Sequence, residues 1–142
     1  MAILAFDIGG ANLKAADGRG FAACRPFPLW QRPAELAGAL TALMTEAPSA
    51  EKVVVTMTGE LADCFATKTE GVAHILHSVQ QAAGRRELLV YRVDGSIVRV
   101  EAALQQPLLA AASNWHALAR FAARYCHGDT ALLIDIGSTT TD

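Results

Sequence analysis

The sequence lacks a surplus of either charge. Twelve Lys and Arg stand against fourteen Asp and Glu, a formal net charge of −2 over 142 residues, and no basic stripe interrupts the mixture. The electrostatic footprint of a nucleic-acid partner is therefore missing. Cysteine is scarce as well: Cys24, Cys64 and Cys126 are odd in number and widely spaced. They make neither a disulfide framework nor a zinc motif, and they point to a reducing compartment. No run approaches the ~20 apolar residues of a membrane-spanning helix. The opening MAILAFDIGG has no basic segment and meets Asp7 after six residues, too early for a signal peptide. A cytoplasmic protein with no membrane partner is expected. There is no low-complexity linker, and the length fits about one domain.

What is present is a globular pattern, with 52% hydrophobic and 18% charged residues. AILAFD, 2–7, is a near-continuous apolar run, as expected of a strand buried on both faces. Asp17-Gly18 and Gly20 mark a tight hairpin between two short strands. PAELAGALTALMTEA, 33–47, places Leu36, Ala39, Leu40 and Leu43 at helical spacing, with Pro33 at its start and Pro48 behind it. KVVVTM, 52–57, is a β-branched strand. Residues 59–84 read as one helix, or as two broken near Lys68, closed by Gly84. ELLVYRV, 87–93, is a strand, and Asp94-Gly95 turns the chain into SIVRV, 96–100. Residues 107–126 read as a long helix, or as one that starts only at Ser113-Asn114. TALLIDIG, 130–137, is the last strand. Early strands joined by short turns, then alternating helices and strands, predict an α/β fold on a mixed sheet.

Two strand–Asp-Ile-Gly turns stand at opposite ends, FDIGGANLK and LLIDIGSTTTD. In the first, Asp7 ends a strand where a carboxylate can hold Mg²⁺. Gly9 and Gly10 let backbone N–H groups approach a phosphate, while Asn12 adds an amide and Lys14 a point charge. In the second, Asp135 repeats the carboxylate, Gly137 frees the turn, and Ser138, Thr139 and Thr140 add hydroxyls.

The pair of turns resembles the phosphate-1 and phosphate-2 loops of the actin, sugar-kinase and Hsp70 superfamily. That resemblance implies an actin-like ATPase (ribonuclease H-like) domain. Its mixed five-stranded sheet carries helices on both faces, in the order β-β-β-α-β-α-β-α, followed by the first strand of a second domain. The first domain would span 1–129, and 130–142 would open a second one whose remainder lies in a longer protein. DIGGANLKAA, VVVTMTGELADCF, KTEGVAHIL, AAASNWHALA and LLIDIGSTTTD together resemble the hydantoinase A/oxoprolinase-like branch, and within it proteins of the tetrahydromethanopterin-linked one-carbon pathway. The resemblance implies a transferase of methanofuran-type cofactor biosynthesis. Such an enzyme joins a γ-glutamyltyramine phenol to an aminomethylfuran-methyl diphosphate and releases pyrophosphate. Mg²⁺ would be the cofactor and a diphosphate-bearing small molecule the partner. ATP-dependent hydrolysis of the oxoprolinase type, kinase chemistry, and a non-catalytic nucleotide-binding module are the alternatives. Strand 131–136 leaves self-association open.

TMTGELAD follows strand 52–57 at its carboxyl end, where open α/β sheets place ligands. Thr58 or Gly59 caps a helix there, with Glu60 complementing its dipole; alternatively, Glu60 or Asp63 binds metal or takes the phenol proton. Lys68 reads as a solvated lysine or a further phosphate contact. His74 and His77 lie at i and i+3 but lack a third zinc ligand. His116 and His127 read as surface residues near helix ends. Asn114-Trp115 docks the last helix against the sheet or reaches the cleft.

Overall fold

Alternating apolar residues assemble one sheet. The computed structural model describes residues 2–126, 128 and 130–135. Strand β1 (Ile3–Ile8) pairs antiparallel with β2 (Asn12–Ala16), and β2 with β3 (Ala22–Pro26). Helix α1 (Leu36–Glu46) leads to β4 (Lys52–Met57), which lies parallel to β1. Helix α2 (Lys68–Ala83) leads to β5 (Glu87–Tyr91), parallel to β4. Strand β6 (Ile97–Arg99) returns antiparallel along β5, and α3 (Val100–Gln105) and α4 (Ser113–Ala122) follow. Across the sheet the order is β3-β2-β1-β4-β5-β6.

The expected five-stranded sheet thus has six strands. The sixth forms because Asp94 folds the chain back: its Oδ1 accepts the Ser96 N–H at 2.9 Å. Gly95 takes φ +82°, which costs a residue bearing a Cβ. The hairpin hides the backbone edge of β5. Residues 59–67 make a short 3₁₀ turn, Gly59–Leu61, and a loop, so the helix read over 59–84 starts only at Lys68. Thr67 Oγ1 caps α2 by accepting the Glu70 N–H at 3.1 Å, while Glu70 Oε2 accepts the Ala66 N–H at 3.1 Å. The two bonds satisfy donors on either side of the helix start, as a capping box does, though the second comes from the residue before the cap. Likewise 107–126 divides into a 3₁₀ turn at Pro107–Leu109 and α4 from Ser113.

The strand expected over 130–137 does not form in its described part. Residues 130–135 pair with no strand, and Leu132 and Ile134 are 86% and 61% exposed. A strand holds only beside a hydrogen-bonding neighbour, and none of the described strands flanks it.

The core lies on one face of the sheet. Leu4, Phe6 and Ile8 alternate inward with Val53, Val55 and Met57 and with Leu88 and Val90. Leu36, Leu40 and Leu43 of α1 and Val72, Ile75 and Val79 of α2 cover them. Each such side chain contributes about 1.5–3 kcal/mol by burial. The opposite face carries α4 at one end and is otherwise open, so the helices expected on both faces are present but unequal. There α4 approaches at the Tyr91 edge, where His116 Nδ1 and Tyr91 Oη lie 3.0 Å apart and the rings stack. The amphipathic α4 leaves Phe121 of its apolar side exposed rather than laid on the sheet. Among the described residues no helix is long and apolar enough to cross a membrane.

Candidate functional site

On the open part of this second face, strand register sorts side chains into rows. One row reads Cys24, Lys14, Asp7, Thr56, and the next reads Ala22, Ala16, Ala5, Val54. Short alanines make the second row the floor of a cavity of about 490 Å³, with the first row as its polar rim. Beyond Asp7, β1 exits through Gly9 and Gly10, Asn12 opens β2, and Thr58 follows β4.

Lys14 Nζ donates to Asp7 Oδ2 at 3.0 Å across the β1–β2 pair. That hydrogen bond, opposed by partial burial and aided by the charges of Asp7, Cys24 and Asp135, holds the Lys14 ammonium above its usual pKa. Asp135 is thus close enough to act on the same lysine as Asp7. Asp7 Oδ1 is buried and has no hydrogen-bond partner among the described residues. Thr56 Oγ1 donates to Phe6 O at 3.3 Å.

Gly9 N–H donates to Asn12 O at 3.0 Å, so this amide is used inside the turn. A Cβ on Gly9 would stand 3.2 Å from Asn12 O, whereas one on Gly10 would meet nothing within 4 Å. Gly9 serves close approach, and the Gly10 side is open to a ligand. The β4 exit is pressed onto the β1 exit. Thr58 N–H donates to Ile8 O at 3.1 Å, and a Cβ on Gly59 would stand 3.1 Å from Ile8 O and 3.2 Å from Gly9 O.

The remaining residues proposed for the site lie apart from this patch or outside the described residues. Glu60 is 2% exposed, and its Oε1 accepts the Ala112 N–H at 2.7 Å. Burial raises the pKa of its carboxyl, against the lowering effect of the Ala112 hydrogen bond. Asp63 and Lys68 are exposed in and just after the loop beyond β4. Gly137, Ser138, Thr139 and Thr140 lie outside the described residues, as does His127. His74 Nε2 lies 2.9 Å from Pro33 O and its ring packs on Phe65, while His77 is exposed. Among the described residues no three His, Cys, Asp or Glu form a metal cluster, and all three cysteines are free and exposed.

Thr58, expected as a helix cap within TMTGELAD, and Asn114, expected either to dock the last helix or to reach the cleft, both join the patch. Asn114 Nδ2 donates to Thr58 Oγ1 at 3.4 Å, and that hydroxyl stands 3.9 Å from a Cβ position on Gly9. Alternation along β4 was the available signal for Thr58: two residues past Thr56, it falls on the same face.

Fold and site together define an α/β domain whose polar patch sits at the carboxyl ends of β1 and β4, the end where open α/β sheets take ligands. Residues 51–142 match the family model described as hydantoinase/oxoprolinase. Over 143 aligned residues the chain is 38% identical to the (4-{4-[2-(gamma-L-glutamylamino)ethyl]phenoxymethyl}furan-2-yl)methanamine synthase of Methanocaldococcus jannaschii. The alignment takes in 99% of this chain and 42% of that protein's length. The chain belongs to the hydantoinase/oxoprolinase family.

Proposed function

We propose that this chain is the phosphate-binding first lobe, actin-like in fold, of a transferase of cofactor biosynthesis. The observation that carries the reading is the Asp7–Lys14 pair, set in register beneath the open Gly10 turn. A diphosphate bound there would take Lys14 as a charge-assisted partner and Asn12 as an amide contact. The relative's name describes a phenoxymethylfuran, the ether that such a transfer makes.

In the proposed reaction a phenol oxygen attacks the methylene carbon borne by the furan. The aryl ether C–O bond forms, the C–O bond to the diphosphate breaks, a base takes the phenol proton, and pyrophosphate leaves. Lys14 neutralises the leaving charge, the term that dominates such chemistry. Asp63, the exposed carboxylate after the β4 exit, is our assignment for the base.

The donors suit Mg²⁺, which binds through one or two carboxylates and fills its shell with water and phosphate oxygens. Asp7 supplies one carboxylate with Oδ1 unpartnered, and Asp135 is the second carboxylate of the repeat. Bound there, Mg²⁺ would offset the diphosphate charge. The facing lobe, with Gly137, Ser138, Thr139 and Thr140 in its first turn, belongs in this proposal to a longer protein. We place that protein in the cytoplasm.

Calorimetric titration with pyrophosphate and with ATP, each with and without Mg²⁺, tests the reading. Mg²⁺-dependent pyrophosphate binding that is lost in Asp7→Ala is expected. Tighter ATP binding with a preference for adenine would move the protein to the ATP-dependent hydrolases or kinases.

A further inference from the structure

Three successive residues tie the start of α4 to the exit of β4. Ala112 N–H donates to Glu60 Oε1 at 2.7 Å, Ser113 Oγ accepts the Met57 N–H at 3.3 Å, and Asn114 Nδ2 donates to Thr58 Oγ1 at 3.4 Å. Ser113 is wholly buried and Glu60 nearly so. Ala112 adopts φ 51°, ψ 28°, a left-handed conformation that only its surroundings can hold in a residue with a Cβ. From the other side, a Cβ on Gly71 of α2 would stand 2.7 Å from Glu60 Cα, so α2 sits directly against Glu60. This much anchoring fixes the Asn114 amide beside Thr58, and through Thr58 close to Gly9, two residues beyond Asp7.

Three side-chain oxygens at this end of the sheet are buried without a hydrogen-bond partner among the described residues, Asp7 Oδ1, Asn114 Oδ1 and Glu60 Oε2. Glu60 is already held through its other oxygen by the Ala112 N–H. Buried acceptors are satisfied as a rule, so Asp7 at the end of β1 and Asn114 beside the β4 exit each call for a donor. A diphosphate oxygen donates nothing; the hydration shell of a divalent cation does.

We propose that Asn114 is a ligand-binding residue of the patch, its Oδ1 accepting a hydrogen bond from the hydration shell of a divalent cation held at Asp7, with Glu60 as the positioning residue that aims it. This rests on the reading of Asp7 as the cation-binding carboxylate, but not on the diphosphate substrate. An amide turned over would present Nδ2 instead and would suit a phosphate oxygen. The two arrangements prefer opposite charges at position 114.

Mn²⁺, which stands in for Mg²⁺ at oxygen ligands, is the probe, its binding read from water-proton relaxation in the full chain. The expected result is that Asn114→Leu weakens Mn²⁺ about three- to tenfold, one hydrogen bond's worth. Asn114→Asp holds or tightens it; Glu60→Ala, which strands the Ala112 N–H, weakens it, and Glu60→Gln, which keeps an acceptor for Ala112, restores it to within about twofold of wild type. Mn²⁺ affinity unchanged in Asn114→Leu, or weakened in Asn114→Asp, overturns the proposal. If Asn114→Leu does not fold, as its thermal melt will tell, the Asp variant decides alone. Pyrophosphate is then titrated into the same proteins. Wild-type chain that binds Mn²⁺ but no pyrophosphate refutes the diphosphate substrate and leaves this inference standing. Wild-type chain that binds no Mn²⁺ refutes this inference itself.

Discussion

Glu60 Oε1 accepts the Ala112 N–H at 2.7 Å, joining the exit of β4 to the left-handed residue that precedes α4. A carboxylate just past the end of a strand invites a catalytic role, yet this one is 2% exposed and holds the backbone of its own chain. Its work is to hold a turn.

The pH dependence of stability follows. Burial, the largest cause, raises the Glu60 carboxyl above its ordinary value, so the folded chain binds this proton more tightly than the unfolded chain. The folded state then gains relative stability at low pH and loses it as pH rises above the usual carboxylate range, by at most about 1.4 kcal/mol per pH unit. Urea unfolding of the wild type at successive pH values from 4.5 upward will show this fall, and Glu60→Gln will flatten it. Glu60→Ala strands the Ala112 N–H and costs about 1–3 kcal/mol at any pH. A wild-type profile no steeper than that of Glu60→Gln contradicts the assignment.

Two glycines separate packing from binding. A Cβ on Gly71 would stand 2.7 Å from the Glu60 backbone, which has no flexible end to move aside. Gly71→Ala is expected to destabilise by about 1–3 kcal/mol or more through overpacking. At Gly10 a Cβ meets nothing within 4 Å. Gly10→Ala should keep stability within about 0.5 kcal/mol while obstructing the approach of a phosphate. Thermal melts and pyrophosphate titration of the two variants distinguish these effects.

Lys14 and Asp7 form an ion pair whose lysine side chain is 57% exposed, so its removal should change stability by no more than about 1 kcal/mol. For ligand the lysine counts far more. A charge-assisted hydrogen bond is worth about 1.5–3 kcal/mol, so Lys14→Met should weaken pyrophosphate about tenfold or more. Equal affinity in wild type and Lys14→Met would remove Lys14 from the site.

Much of this architecture is legible in local pattern. KVVVTM announces β4 by β-branching, and Leu36, Leu40 and Leu43 announce α1 by helical spacing, because both elements bury a periodic face. The glycine turn after Asp7 was legible for the same reason: it interrupts an apolar strand. The rest depends on contacts far apart in sequence. Strand β6, by contrast, is local: the Asp94-Gly95 turn announces SIVRV, and the hairpin it makes with β5 realises it over three residues. The short helix α3 begins where SIVRV reads as continuing strand. Asn114 reaches Thr58 across 56 positions, and Glu60 reaches Ala112 across 52, distances over which no periodicity speaks. How little of the second face α4 covers escapes sequence reading too, since the half-buried strand residues Val54 and Leu89 look apolar enough to be covered on both sides.

The most direct test of the central claim is to locate pyrophosphate on the folded chain. Amide shifts of the ¹⁵N-labelled protein would be followed as pyrophosphate is added with Mg²⁺. The account predicts the largest changes at Gly10, Asn12, Lys14 and Thr58, around the open turn. A second cavity, polar and about 410 Å³, lined in part by Arg85, Arg86 and Arg99, lies beside Glu87 and Leu88 at the start of β5. Shifts confined to those arginines, with the Gly9–Lys14 amides unmoved, would contradict it.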